Sequence, residues 1–256
     1  MPLKPFDKQT AIITGAGQGI GFEIARQLCA NGASVILNDV DALLANEAMT
    51  KITNEGGSCY AMQGDASDVG FIQSMVDEAV DKFGQLNIAI ANAGITLFAD
   101  FFEYAPDSFD KVMKLNLGGS FFLAQYAAKQ MKAQQSGGRI LFMSSVVGHQ
   151  AHKNLAAYAI TKAGLEMLAK NLVIELSPYN ITVNAIAPGA TLTERTLHDE
   201  EYEKTWSRIT PMGKPATVND IANAALFMVS PASGHITGQS LVIDGGWTSM
   251  SPSPYY

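Results

Sequence analysis

Short apolar runs alternate along the chain with segments whose apolar residues recur every three or four positions. Residues 10–14 (TAIIT) read as a buried strand, and 15–21 as a glycine turn. Ile20, Ile24 and Leu28 then mark one face of a helix that Asn31 and Gly32 stop. The cycle repeats as strand 34–38, helix 41–54, strand 58–62, helix 68–83 and strand 86–91. One long helix over 106–135 follows, then strand 139–144, a helix over 157–176 that ends before Pro178, and strand 181–187. After an irregular polar stretch, helix 218–230 precedes a last strand at 240–243. Strands separated by helices form βαβ units, so the pattern predicts one α/β domain over 1–256. Its seven-stranded parallel sheet is expected to be doubly wound, with helices on both faces, right-handed connections, and ligands at the carboxyl ends of the strands.

Composition narrows the classes. The 256 residues carry 17 Lys and Arg against 24 Asp and Glu, a net charge of −7, with 47% hydrophobic and 16% charged residues. Such a chain is neither a disordered tail nor a basic nucleic-acid binder, so no nucleic-acid partner is expected. The low charged fraction suggests surface covered by other subunits. Cys29 and Cys59 belong to no CxxC pair or His cluster, and His235 is equally isolated, so no metal is expected and a reducing, cytoplasmic setting is the simpler expectation. The first residues lack an apolar leader, and no run approaches the roughly 18 apolar residues of a membrane span, so no membrane partner is expected.

Candidate chemistry begins at TGAGQGIG, where Gly15, Gly17, Gly19 and Gly21 separate the first strand from the first helix, with Gln18 and Ile20 between them. Glycines there let backbone amides approach a pyrophosphate, while the helix N-terminus adds about half a positive charge. Asp39 ends the second strand, 24 residues after Gly15. A carboxylate there accepts hydrogen bonds from an adenosine ribose and repels a 2′-phosphate, which favours NAD over NADP. Gln18 stands where a basic residue would clamp that phosphate, and neither Val40 nor Asp41 is basic. Asp39 or Asp41 would serve equally as a helix N-cap.

Tyr158 and Lys162 are four residues apart at the start of a predicted helix, hence on one face. An ammonium one turn away favours the phenolate form that can take a proton from an alcohol. Ser144 and Ser145 fall at the end of a predicted buried strand, where hydroxyls can hold a carbonyl oxygen. Asn116 lies inside the long predicted helix, where an amide is a mediocre helix former that kinks the backbone, holds a water or serves as a core amide.

TGAGQGIG, ANAG at 91–94, LNLGG around Asn116, SSVVG, YAITK and PGATLT, in that order and spacing, resemble the classical short-chain dehydrogenase/reductase family. The resemblance runs from the first strand to DGG at 244–246. It implies a Rossmann-type fold and a catalytic tetrad of Asn116, Ser145, Tyr158 and Lys162, with Ser145 preferred to Ser144 by its distance from the tyrosine. It implies cofactor contacts at Asp65, Ala66, Asn92, Ala93, Gly94, Tyr158, Lys162, Pro188, Gly189, Thr191 and Thr193, a lid over 189–215, and no metal. Ala91 departs from the family, which usually has an asparagine there that braces the sheet. His149, His152 and Asn154 sit on the loop that forms a pocket wall in this family, and with Ser145 and Tyr158 they are the expected substrate contacts. These polar residues suit a small hydroxylated substrate of aldose or polyol type, converted between alcohol and carbonyl. The alternatives are reduction of a 3-oxoacyl thioester on acyl carrier protein, against which the acidic chain argues, and an NAD-sensing protein without turnover. A homotetramer built on the two long helices is expected, and the tail at 247–256, with its terminal aromatic pair, has no assigned role.

Overall fold

In the computed structural model, which describes residues 4–250, strand β1 (Thr10–Ile13) is buried along its length because helices cover both of its faces. Ala11 and Ile13 enter one layer and Ile12 the other, which is why the strand reads as a continuous apolar run. The chain continues through α1 (Gly19–Ala30), β2 (Ser34–Asp39), α2 (Ala42–Asn54), β3 (Ser58–Gln63), α3 (Val69–Phe83) and β4 (Ile88–Ala91). Its second half comprises α4 (Pro106–Val112), α5 (Ser120–Gln134), β5 (Gly138–Met143), α6 (Ala156–Leu176) and β6 (Ile181–Pro188). Then come β7 (Thr191–Leu192), α7 (Tyr202–Ile209), β8 (Ala216–Thr217), α8 (Val218–Val229) and β9 (Ser240–Ile243).

Seven strands form one parallel sheet in the order β3-β2-β1-β4-β5-β6-β9. The chain reverses its direction of winding between β1 and β4, the place where such sheets open a crevice for ligands. Residues of α1, α2 and α8, among them Ile24, Ile52 and Ile221, fill one layer, and residues of α3, α5 and α6, among them Ile72, Leu123 and Leu165, fill the other. The doubly wound parallel sheet expected from the sequence is therefore the observed fold.

Two segments differ from expectation. The helix expected over 106–135 is interrupted by a π-helical stretch, Met113–Gly119. Asn116 draws its side chain onto the backbone of Ile95, and Gly119 passes so close to the Ala66 carbonyl that a Cβ would collide with it. Those two demands widen one turn, as happens often at functional sites. The segment after β6 is not irregular, since β7 pairs in parallel with β8 and α7 lies between them. Tyr202, Trp206 and Ile209 carry a helical period there that surrounding charges obscure. Asp41, rather than Asp39, caps α2, accepting from the amides of Leu43 and Leu44. No helix among the described residues is long and apolar enough to cross a membrane. The tail turns once at Trp247–Ser249, and the terminal aromatic pair lies outside the described residues.

Candidate active site

The carboxyl ends of β1 to β6 surround a cavity of about 490 Å³. On its glycine side, Gly15 holds a positive φ of 60°, and a Cβ there would stand 2.8 Å from Ala93 Cα. At Gly21 a Cβ would stand 2.5 Å from both Asn92 Nδ2 and the Gly15 carbonyl, so only glycine lets the loop close on β4. Asn92 is the clamp. Its Nδ2 donates to the carbonyls of Thr14 (2.9 Å) and Gly15 (2.8 Å), while the amides of Asn92 and Ala93 donate to Thr14 Oγ1, each at 3.1 Å. Ala91 itself is packed in the apolar layer, so the bracing falls to its neighbour.

These residues fit a dinucleotide. Helix α1 starts after Gln18 without a side-chain cap, as α6 and α7 also do, and its first amides lie beside the glycine loop. Asp39 accepts from the Gly17 amide (3.0 Å) through Oδ2 and from Asp41 (3.1 Å) through Oδ1, which holds its carboxylate in the cavity wall. Beside it Asn38 carries a buried Oδ1 with no partner. Gly19, Ile20, Asp65, Ala66, Gly94, Pro188, Gly189, Thr191 and Thr193 line the same space. Thr193 and Glu194 reach across it, within ordinary contact of the position a Gly19 side chain would take.

At the opposite end, Tyr158 and Lys162 project from the first two turns of α6, and Ser145 follows β5. Lys162 is buried, its Nζ bonded to the Met143 carbonyl (2.6 Å) and 5.3 Å from the centre of the Tyr158 ring. The two adjacent serines have different environments. Ser144 is buried and bonded to the Lys162 carbonyl (3.0 Å) and to Glu166 Oε1 (2.6 Å), whereas Ser145 remains partly open, its Oγ accepting only from the Val147 amide (3.3 Å). Asn116, fully buried in the π-helical stretch, pairs Oδ1 and Nδ2 with the amide and carbonyl of Ile95, both at 2.9 Å. Its Nδ2 also lies 3.4 Å from Thr161 Oγ1, on the turn that joins Tyr158 to Lys162. A hydroxyl, a phenol and an ammonium thus converge on one end of a dinucleotide-sized cleft, an arrangement suited to moving a proton to or from an alcohol oxygen.

The three loop residues expected to touch substrate do not line this cavity. His149 Nε2 lies 2.9 Å from Glu166 Oε1, and His152 packs its ring 5.1 Å from that of Trp247. Asn154 adopts a positive φ of 66° at a turn, and its carbonyl accepts from Ala99. The polar side chains lining the cavity near the lid include Thr96, Glu194, Arg195 and Tyr202 beside Thr191 and Thr193. Tyr202 was not singled out by the sequence. Burial pushes its phenol above the usual range, against the hydrogen bond it accepts from the Thr191 amide (3.2 Å).

Fold and cleft together define a nicotinamide-dinucleotide oxidoreductase. A family model described as "Enoyl-(Acyl carrier protein) reductase" matches residues 15–248. The 7alpha-hydroxysteroid dehydrogenase of Escherichia coli K12 is 36% identical over 94% of both chains. The L-rhamnose-1-dehydrogenase of Scheffersomyces stipitis is 37% identical over 91% of this chain and 93% of that protein. The 3-oxoacyl-[acyl-carrier-protein] reductase of Staphylococcus aureus is 36% identical over 93% and 97%. Among solved structures, a 7α-hydroxysteroid dehydrogenase complexed with NADH and 7-oxo glycochenodeoxycholic acid superposes with a TM-score of 0.89 at 36% identity, covering 94% of each chain. A gluconate 5-dehydrogenase from Burkholderia cenocepacia, complexed with NADP and tartrate, does so with a TM-score of 0.90 at 32% identity, covering 98% of this chain and all of that one. The chain belongs to the short-chain dehydrogenase/reductase family, whose members are NAD(P)-dependent alcohol dehydrogenases and ketoreductases.

Proposed function

We propose that this protein interconverts a secondary alcohol or hemiacetal carbon and its carbonyl in a small hydroxylated substrate, with NAD as the preferred cofactor. The observation that carries the reading is the convergence of Ser145, Tyr158 and Lys162 at one end of the cavity whose other end holds Asp39 and the glycine loop. Bound NAD supplies the hydride acceptor, and NADH the donor in the reverse direction. Tyr158 takes the proton from the substrate hydroxyl as the carbonyl forms. Lys162 sets its Nζ beside the Tyr158 ring, 5.3 Å from its centre, Ser145 Oγ holds the reacting oxygen, and Asn116 reaches the turn that joins Tyr158 to Lys162. Asp39 would hold the adenosine ribose and repel a 2′-phosphate. Polar selectivity rests on Thr96, Glu194, Arg195 and Tyr202, which line the cavity, more than on His149, His152 and Asn154. We further propose a homotetramer, since Phe121 on α5 and Ile160, Met167 and Ile174 on α6 expose apolar surface on the two helices expected to pair.

The test is reduced-cofactor formation, followed by absorbance, with NAD and NADP in parallel against aldoses, polyols, hydroxy acids and simple secondary alcohols. Turnover of a sugar or polyol with NAD, abolished by Tyr158→Phe while NADH still binds, is the expected result. Activity confined to 3-oxoacyl thioesters would overturn the substrate class. Activity surviving Tyr158→Phe would remove the tyrosine from the mechanism.

A further inference from the structure

The loop that carries Ser145 leaves β5 at Ser144 and turns through Val146–Gly148 to His149. Both ends of that turn reach the same atom. Ser144 Oγ lies 2.6 Å and His149 Nε2 2.9 Å from Glu166 Oε1. Glu166 sits one turn beyond Lys162 on α6 and is buried apart from a thin edge. Gly148, between the two partners, passes so near that a Cβ there would stand 3.1 Å from this same oxygen. A carboxyl group is costly to bury without hydrogen-bond donors, and here the two donors come from either side of Ser145. Ser144 also contacts the Lys162 carbonyl (3.0 Å), so the contacts tie strand β5, the serine turn and the helix of Tyr158 and Lys162 at one point.

We propose that Glu166 is a positioning residue for the reaction: through Ser144 and His149 it holds the Ser145 turn against α6, setting the Ser145 hydroxyl at its working distance from Tyr158. Glu166 lies outside the cavity lining and acts through the two side chains it accepts from. His149 thereby has a structural partner on the inner side of the loop and is not free to contact substrate. The inference deepens the reading of Ser145, Tyr158 and Lys162 given above and rests on it. The turn's own hydrogen bonds, Gly148 N to Ser145 O (2.8 Å) and His149 N to Val146 O (2.9 Å), close only short local rings, so once the carboxylate is removed the turn loses its anchor to α6 and opens more often.

Two measurements separate this proposal from the functional reading. The first needs no turnover: amide hydrogen exchange in the full-length protein, comparing the parent with Glu166→Leu, Glu166→Gln and His149→Phe. Exchange at Val147, Gly148 and His149 is expected to rise at least about tenfold in Glu166→Leu and less in Glu166→Gln, which keeps an acceptor oxygen, with β1 and β2 amides unchanged. The second is steady-state kinetics on whichever alcohol the parent oxidises. Displacement of Ser145 predicts a fall in kcat of about ten- to a hundredfold in Glu166→Leu, with NADH affinity within twofold of the parent and Glu166→Gln intermediate. His149→Phe, at a half-exposed position, keeps the test alive if Glu166→Leu does not fold, and it is expected to show the same changes at smaller size. Unchanged exchange in the turn overturns the brace whatever the activity. A kcat equal to the parent's in both Glu166→Leu and His149→Phe overturns its role in catalysis. Activity surviving Tyr158→Phe overturns the functional reading and leaves the brace to be judged by exchange alone.

Discussion

Replacing Asn92 by alanine removes two hydrogen bonds from the turn that shapes the cofactor cleft, those from Nδ2 to the carbonyls of Thr14 and Gly15. A buried carbonyl left without a donor costs about 1–3 kcal/mol. Thr14 is buried and is expected to bear most of that, whereas Gly15 faces the cavity, where water can replace part of the loss. The sum is about 2–4 kcal/mol, which at about 1.4 kcal/mol per decade corresponds to roughly 30- to 1000-fold in cofactor affinity if it is expressed wholly in the loop. Asn92→Asp separates donation from shape, because the isosteric carboxylate would face both carbonyls with no hydrogen to offer. It is expected to be worse than alanine. Urea unfolding gives the stability change, and energy transfer from Trp206 and Trp247 to bound NADH gives the affinity. Asn92→Ala within about 0.5 kcal/mol of the parent in stability and within twofold in NADH affinity would refute the reasoning. So would an aspartate tolerated better than alanine.

Asp39→Ala is expected to raise NADP use relative to NAD by tenfold or more, and an unchanged cofactor ratio in parallel assays would count against the carboxylate as the discriminator. Three carboxylates are held below the usual range: Glu23 by its hydrogen bond from Arg26, Asp220 by the Thr217 amide and then its hydroxyl, and Asp244, where burial is outweighed by hydrogen bonds from Thr248, Gly246 and Trp247. Each therefore stabilises the fold fully above the unfolded carboxylate range near about 4, and that stability disappears as pH falls through the lowered folded values. Unfolding free energy measured between neutrality and strong acid should begin to drop near that range, and Asp220→Ala should flatten the slope and lower stability at neutral pH by about 1 kcal/mol through loss of the acceptor that completes the α8 capping box. Tyr202→Phe removes the partner of the Thr191 amide and is expected to raise KM for the cofactor severalfold with little change in kcat, a pattern that equal effects on both would contradict.

The sheet could be read from the chain because β1, β4 and β6 are buried along their whole length, β2 and β5 over most of theirs, and α1, α2, α3 and α8 each bury an apolar stripe between them. The glycine turn likewise declares itself by position, between a strand and an amphipathic helix. Ser145 was separable from Ser144 only by spacing, and the physical difference is that Ser144 turns into the core toward Glu166. Whether His149 faces the cavity or Glu166 depends on a turn of the loop that no periodicity encodes. Helix α7 was missed because charged residues separate Tyr202, Trp206 and Ile209. By sequence position Glu166 is one polar residue on a long helix, and only the return of the β5 loop across α6 gives it two donors.

The widened turn at Met113–Gly119 acts on the chain as an inserted residue would. Side chains beyond it are rotated by about 100° from where an unbroken α-helix would set them, one residue's worth of angular register. The inward face of α5, including Leu123, Ala127 and Met131, is cut to that offset. Deleting a single residue from the stretch would restore regular α-helical register and swing this face out of the layer it shares with α3 and β5. The offset that brings the Asn116 amide to Ile95 is thus maintained by the packing of the whole buried face of α5, from Ser120 to Met131, and a one-residue deletion there would be a frameshift of the core.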